Sequence, residues 1–101
     1  MSTYMTHFRC NYEAWPADKG KQRTAWTNIL GDADDSLKDG SVKFIGWVNN
    51  TEGYALLEAS SKADVIRICA RFWPLFHNDI IELVPAAEAG EAILEGVAKG
   101  W

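Results

Sequence analysis

Two strand-like runs stand back to back in the middle of the chain, VKFIGWV (Val42–Val48) and GYALLEA (Gly53–Ala59), linked by NNTEG, whose Gly opens the second run. So short an Asn- and Gly-containing link favours an antiparallel hairpin, because parallel neighbours need a crossover of a dozen or more residues. The hairpin constrains the rest of the chain, since each side of it carries one helix-like segment and then one further strand-like segment. Read from the N-terminus, the order is β-α-β-β-α-β plus a terminal helix.

The flanking segments support that order. Tyr4–Tyr12 is rich in aromatic and Thr residues and is broken by Trp15 and Pro16. Asp18 is placed to cap a helix in which Trp26, Ile29, Leu30, Ala33 and Leu37 recur at helical spacing. Gly31 either ends this helix early or weakens it, and KDGS (Lys38–Ser41) is a turn. After the hairpin, Ser61 and Asp64 form a capping box in which Asp takes the usual place of Glu. Val65, Ile68, Cys69, Phe72 and Phe76 then make an apolar stripe, which Pro74 must kink or end. Phe72, Trp73, Leu75 and Phe76 are expected to pack this helix on the sheet, with His77 and Asn78 as junction residues. DIIELVP (Asp79–Pro85) reads as the fourth strand. AAEAGEAILEGVAKG closes the chain as a helix with Ala89, Ile93 and Val97 on one side.

This pattern predicts an α+β, ferredoxin-like βαββαβ domain covering residues 1–101. Right-handed crossovers give an antiparallel four-stranded sheet in the order 4-1-3-2, with both helices on one face. The opposite face is then the informative one. If Ala55, Leu57 and Ala59 face the helices, alternation turns Tyr54, Leu56 and Glu58 away from them. By the same reasoning His7 and Arg9 of the first strand, and Ile80, Glu82 and Val84 of the fourth, join that second face. Strand two is ambiguous, because Phe44 on one side and Ile45 and Trp47 on the other are all bulky. A face this apolar is not left in water. The economical cover is the same face of a second copy, which predicts a homodimer with a barrel-like space between two sheets.

The stretch FIGWVNNTEGYALLEASSKADVIRICARFWPLFHNDIIELVPAAE resembles a family of small bacterial and phage proteins, the domain-of-unknown-function family 3303. Gly53, Tyr54, Leu56, Glu58 and Ala59 fit its Gly–aromatic–x–Leu–x–Glu–Ala pattern, and Glu82, Leu83 and Pro85 fit its later Glu-Val-x-Pro strand. The resemblance covers most of residues 42–88, while the stretch from Lys21 to Lys38 departs most. It implies the dimeric α/β-barrel superfamily, which includes cofactor-free monooxygenases, lactone isomerases and haem enzymes. What it implies is a fold and a dimer, not a reaction.

Composition narrows the function classes. The 101 residues carry a formal net charge of −4 and their ten basic residues are scattered, so no basic patch is available to displace counterions from nucleic acid. No apolar run approaches the ~20 residues of a membrane span, and the opening MSTYMTHFRC lacks the layout of a secretory leader. With only Cys10 and Cys69, there is no disulfide framework. The expectation is a reduced, cytoplasmic protein without nucleic-acid or membrane partners. No cofactor is expected. His7 and Cys10 point to opposite faces of a strand and cannot share a metal ion. DADDSLKDG (Asp32–Gly40) lacks the Gly and Glu of a calcium loop and reads as a solvated acidic turn.

Glu58, Glu82 and His7 are the candidate catalytic residues. A carboxyl in a partly apolar space has its pKa raised by desolvation, which suits it to acid–base work. The alternative for each glutamate is a structural pairing with Arg9 or across the dimer. Arg9, Trp47, Tyr54, Leu56, Ile80 and Val84 are the candidate pocket lining. Trp47 and Tyr54 serve equally well to stack on a ligand or to pack across strands. The reading that follows is a small dimeric α/β-barrel protein holding a small, partly apolar molecule between its sheets. A cofactor-free isomerase or monooxygenase is one alternative, and a structural dimer with no ligand is the other.

Overall fold

A computed structural model describes residues 1–100. The elements are β1 (Ser2–Cys10), α1 (Lys19–Lys38), β2 (Phe44–Trp47), β3 (Glu52–Ala59), α2 (Lys62–Cys69), β4 (Phe76–Leu83) and α3 (Ala86–Ala98). The four strands form one antiparallel sheet in the order β2-β3-β1-β4. This is the expected ferredoxin-like α+β arrangement with an added C-terminal helix.

Local chemistry explains the boundaries. The Asp18 carboxylate accepts the Lys21 amide at 2.9 Å and caps α1, which runs through Gly31 without interruption. It stops where Gly40 takes up φ +81°, a left-handed conformation that costs glycine little. Ser61 caps α2 by accepting the Asp64 amide. Past Cys69 the chain tightens into a 3-10 turn over Ala70–Phe72, and a cis Trp73–Pro74 bond leads into β4. At the hairpin tip the Asn49 side-chain oxygen accepts the amides of Thr51 and Glu52, so the link is closed by an Asn-centred turn.

The helix-facing side of the sheet holds the core. Tyr4 and Phe8 of β1 and Ala55, Leu57 and Ala59 of β3 are all buried there. They separate into two clusters. One gathers Tyr4, Val42, Ala55, Leu57, Ala59 and Val65; the other gathers Phe8, Ile29 and Phe76 with Trp15, Trp26 and Phe72 around them. Ile45 packs against both clusters, which resolves strand two: Ile45 and Trp47 face the helices and Phe44 faces away.

Strand four differs from expectation. It begins at Phe76 rather than Asp79, so His77 and Asn78 lie in the strand and not at a junction. Its register sets Phe76 opposite Cys10 and Ile80 opposite Thr6. Phe76, Asn78, Ile80 and Glu82 therefore share the helix-facing side, and His77, Asp79, Ile81 and Leu83 the open side. This reverses the expected sides of Ile80, Ile81, Glu82 and Leu83. The doublet Ile80–Ile81 satisfies an alternating pattern in either phase. Burial of the Phe76 ring, only 3% exposed, sets the phase.

Among the described residues, the terminal helix α3 makes no extensive packing contact with another element. Its Ile93, Leu94 and Val97 are 64%, 71% and 68% exposed. The Cα radius of gyration is 17.0 Å and the longest extent 60 Å. A compact domain of this length has a radius of about 13 Å. Among the described residues no helix is long and apolar enough to cross a membrane.

Candidate functional site

The open face of the sheet is a grid whose rows follow from the strand register. Glu58, Thr3 and Leu83 form the first row, and Leu56, Met5 and Ile81 the second, with Phe44 beside Leu56. Tyr54, His7 and Asp79 form the third, with Gly46 beside Tyr54; Glu52, Arg9 and His77 form the fourth. An apolar band thus abuts a polar end. The Phe44 ring lies across Gly46, where any larger residue would meet it.

The polar end is knitted on the diagonal. His7 Nε2 and Glu52 Oε2 are 2.8 Å apart, although the direct cross-strand neighbour of His7 on that side is Tyr54. Arg9 Nη2 donates to Asp79 at 2.8 Å on the other side. Each pair joins adjacent rows rather than direct neighbours, which leaves Tyr54 free to stack on the imidazole, with ring centroids 4.7 Å apart and planes 18° apart. Diagonal neighbours on a sheet are within reach of long side chains, so the geometry is unstrained. The hydrogen bond from His7, and a second from the Asn49 amide, hold the Glu52 carboxyl below the usual carboxylate range.

Chemically this is a histidine with an orienting carboxylate. In the neutral imidazole, an ionised Glu52 accepts the proton carried on Nε2, and Nδ1 keeps the lone pair. That nitrogen has no partner among the described residues. It is a hydrogen-bond acceptor or base at the edge of the apolar band.

The candidate residues divide between the two faces. His7, Arg9, Tyr54, Leu56 and Glu58 lie on the open face as expected. Glu58 is four residues along the sheet from His7, about 13 Å away, and does not join its cluster. Glu82 and Ile80 lie on the helix side, so Glu82 cannot act with Glu58 across one space; Ile80 is packed against the core. Trp47 is also on the helix side, with its ring 4.9 Å from Phe8 and 5.9 Å from Trp26. It does not share a surface with Tyr54. Val84 lies beyond the end of β4 and is exposed.

Glu52 and Asp79 were missed as site residues. A diagonal contact depends on register, which periodicity does not give, and Glu52 read as part of a turn. Asp79 read as the polar start of a strand that in fact begins earlier. Among the described residues, no group of three or more His, Cys, Asp or Glu side chains converges in the manner of a metal site. His7 and Cys10 do point to opposite faces. No family model matches the chain, and no curated protein matches it.

Proposed function

We propose that this protein is a homodimer in which two copies lay their open sheet faces together and hold a small, partly apolar molecule beside His7. The observation that carries this reading is the division of the open face into an apolar band of Phe44, Leu56, Met5 and Ile81 and a polar end centred on the His7–Glu52 pair. A ligand with one apolar body and one hydrogen-bonding group matches both halves.

Several further features support it. Tyr54 and Ile81 are 40% and 45% exposed on the open face, and burying such a band is what drives association. Helix α3 is a second apolar surface without cover, and a partner laid against the sheet is placed to receive it. The resemblance of residues 42–88 to a family with the dimeric α/β-barrel form agrees with this assembly. Two unpaired cysteines suit a reducing compartment, so the same reading makes the protein cytoplasmic.

A catalytic reading is favoured by one observation, the 2.8 Å contact that orients His7. On that reading Nδ1 of His7 removes or returns a proton on the bound molecule and Glu52 fixes the ring, as in a cofactor-free isomerase.

Native mass spectrometry of freshly purified protein, read with the imidazole resonances of His7, tests the binding claim. The expected result is a non-covalent adduct whose removal shifts the His7 signals and leaves those of His77 in place. An adduct-free protein in which no panel of small amphiphilic acids or phenols moves His7 overturns it in favour of a structural dimer.

A further inference from the structure

Beneath the helices, where the two core clusters meet, the packing is incomplete. A hollow of about 50 Å³, partly open to solvent, lies between α1, α2 and the sheet. Its wall is almost wholly apolar, with Ile29 and Ala33 from α1, Ile68 from α2, Ile45 and Leu57 from the sheet, and Phe72 from the turn after α2. Protein interiors are normally packed to crystal density, so an apolar hollow of this kind is a packing gap. Two small residues, Ala33 above and Ala55 below, leave the space open.

The roof is weakly held. Of the twenty residues of α1, only Ile29 and Ser36 are buried, and Leu30 and Leu37 are 50% and 41% exposed. Ser36 is fixed near the C-terminal end of the helix, where its hydroxyl accepts a hydrogen bond from Arg71 at 2.7 Å. Toward the other end, Trp26 rests on the rings of Trp15, Trp47 and Phe76, and the Gln22 side chain donates to the Pro16 carbonyl at 2.7 Å. An element with so little buried apolar surface opens at low cost.

We propose that this cavity is a second binding site, on the far side of the sheet from His7, for a small hydrocarbon-like molecule of up to one aromatic ring, with α1 as its lid. The occupant makes no hydrogen bonds, because its walls offer almost none. The resting volume is far below the ~300–1,000 Å³ of ordinary ligand sites. Entry of a ring therefore requires the N-terminal part of α1 to lift, with the Ser36–Arg71 contact as its anchor. The site is complete within one chain and does not depend on the dimer.

Toluene titrated into methyl-labelled protein tests this directly. Saturable shifts are expected at the methyls of Ile29, Ile45, Ile68 and Leu57, together with faster amide exchange in the first half of α1. Ala33→Leu, which fills the space from the roof, abolishes saturation; Ala55→Val, which fills it from the sheet, does the same should the first variant fold poorly. Shifts that grow linearly, that centre on the exposed Ile93, Leu94 and Val97, or that persist unchanged in both variants overturn the proposal.

Discussion

His7 and Glu52 meet across neighbouring strands on the diagonal, Nε2 to Oε2 at 2.8 Å, while Tyr54, the direct neighbour of His7 on β3, stacks on the imidazole. The pair sits where the apolar band of the open sheet face ends. One side chain is thus oriented by a carboxylate and flanked by a ring.

The Glu52 carboxyl is held below the usual carboxylate range, chiefly by the hydrogen bond with His7 and next by that from Asn49. His7→Phe preserves a ring for Tyr54 and removes the larger cause. A carbon-detected titration of Glu52 is expected to show its pKa rising toward the ordinary value in that variant. Because the folded-state pKa is depressed, the contribution to stability is present above the ordinary carboxylate range and is lost as pH falls through the folded-state value. The stability gap between the wild type and His7→Phe should therefore narrow on acidification. An unchanged Glu52 titration contradicts the pairing.

Burial pushes the Cys69 thiol up to about 11 and raises that of Cys10 as well. The thiolate is the nucleophile, so both residues should resist iodoacetamide at pH 8 in the folded protein and react readily in urea. A group with a raised folded-state pKa stabilises fully below its unfolded value and loses that contribution as pH rises through the folded one. For Cys69 this window runs from the ordinary thiol range to about 11, so the urea midpoint should fall across it. Rapid alkylation of native Cys69 would contradict its placement between α2 and the sheet.

Leu57 is 1% exposed at the centre of the larger core cluster. Leu57→Ala is expected to cost about 2–5 kcal/mol, from lost burial and the enlarged void, measured by urea denaturation. Gly53 offers a sharper test of the sheet. A Cβ there would run into the carbonyl oxygen of Gly46 and the ring of Phe8. Gly53→Ala should therefore part β2 from β3 and alter the near-ultraviolet signal of Trp47, which packs edge-on against Phe8. A fully stable Gly53→Ala protein would show that the hairpin register is wrong.

Much of this fold is legible in local patterns. Asp18 and Ser61 announce their helices because capping is a short-range hydrogen bond. The sides of β1 and β3 follow from clean alternation, as with buried Ala55, Leu57 and Ala59 against exposed Tyr54 and Leu56. Strand four is not legible in the same way. Ile80 and Ile81 are adjacent and equally apolar, and the residue that sets the phase, Phe76, lies close to a proline and reads as helix. The site shows the same limit. His7 and Arg9 were visible as polar residues on an apolar strand, but their partners Glu52 and Asp79 depend on a register that only the folded sheet supplies. The cavity beneath α1 is a mismatch between two clusters and has no signature in any one segment.

Cover of the open sheet face by a second copy is the proposal on which the inter-sheet site depends, and sedimentation equilibrium of the purified chain tests it most directly. The wild type is expected at twice the chain mass at micromolar concentration. Ile81→Glu, which places a charge in the apolar band without touching the core beneath the helices, is expected at the single-chain mass with its circular dichroism retained. A wild-type chain that sediments as a monomer at these concentrations, and behaves identically with Glu at position 81, would contradict the dimer and the inter-sheet site built on it.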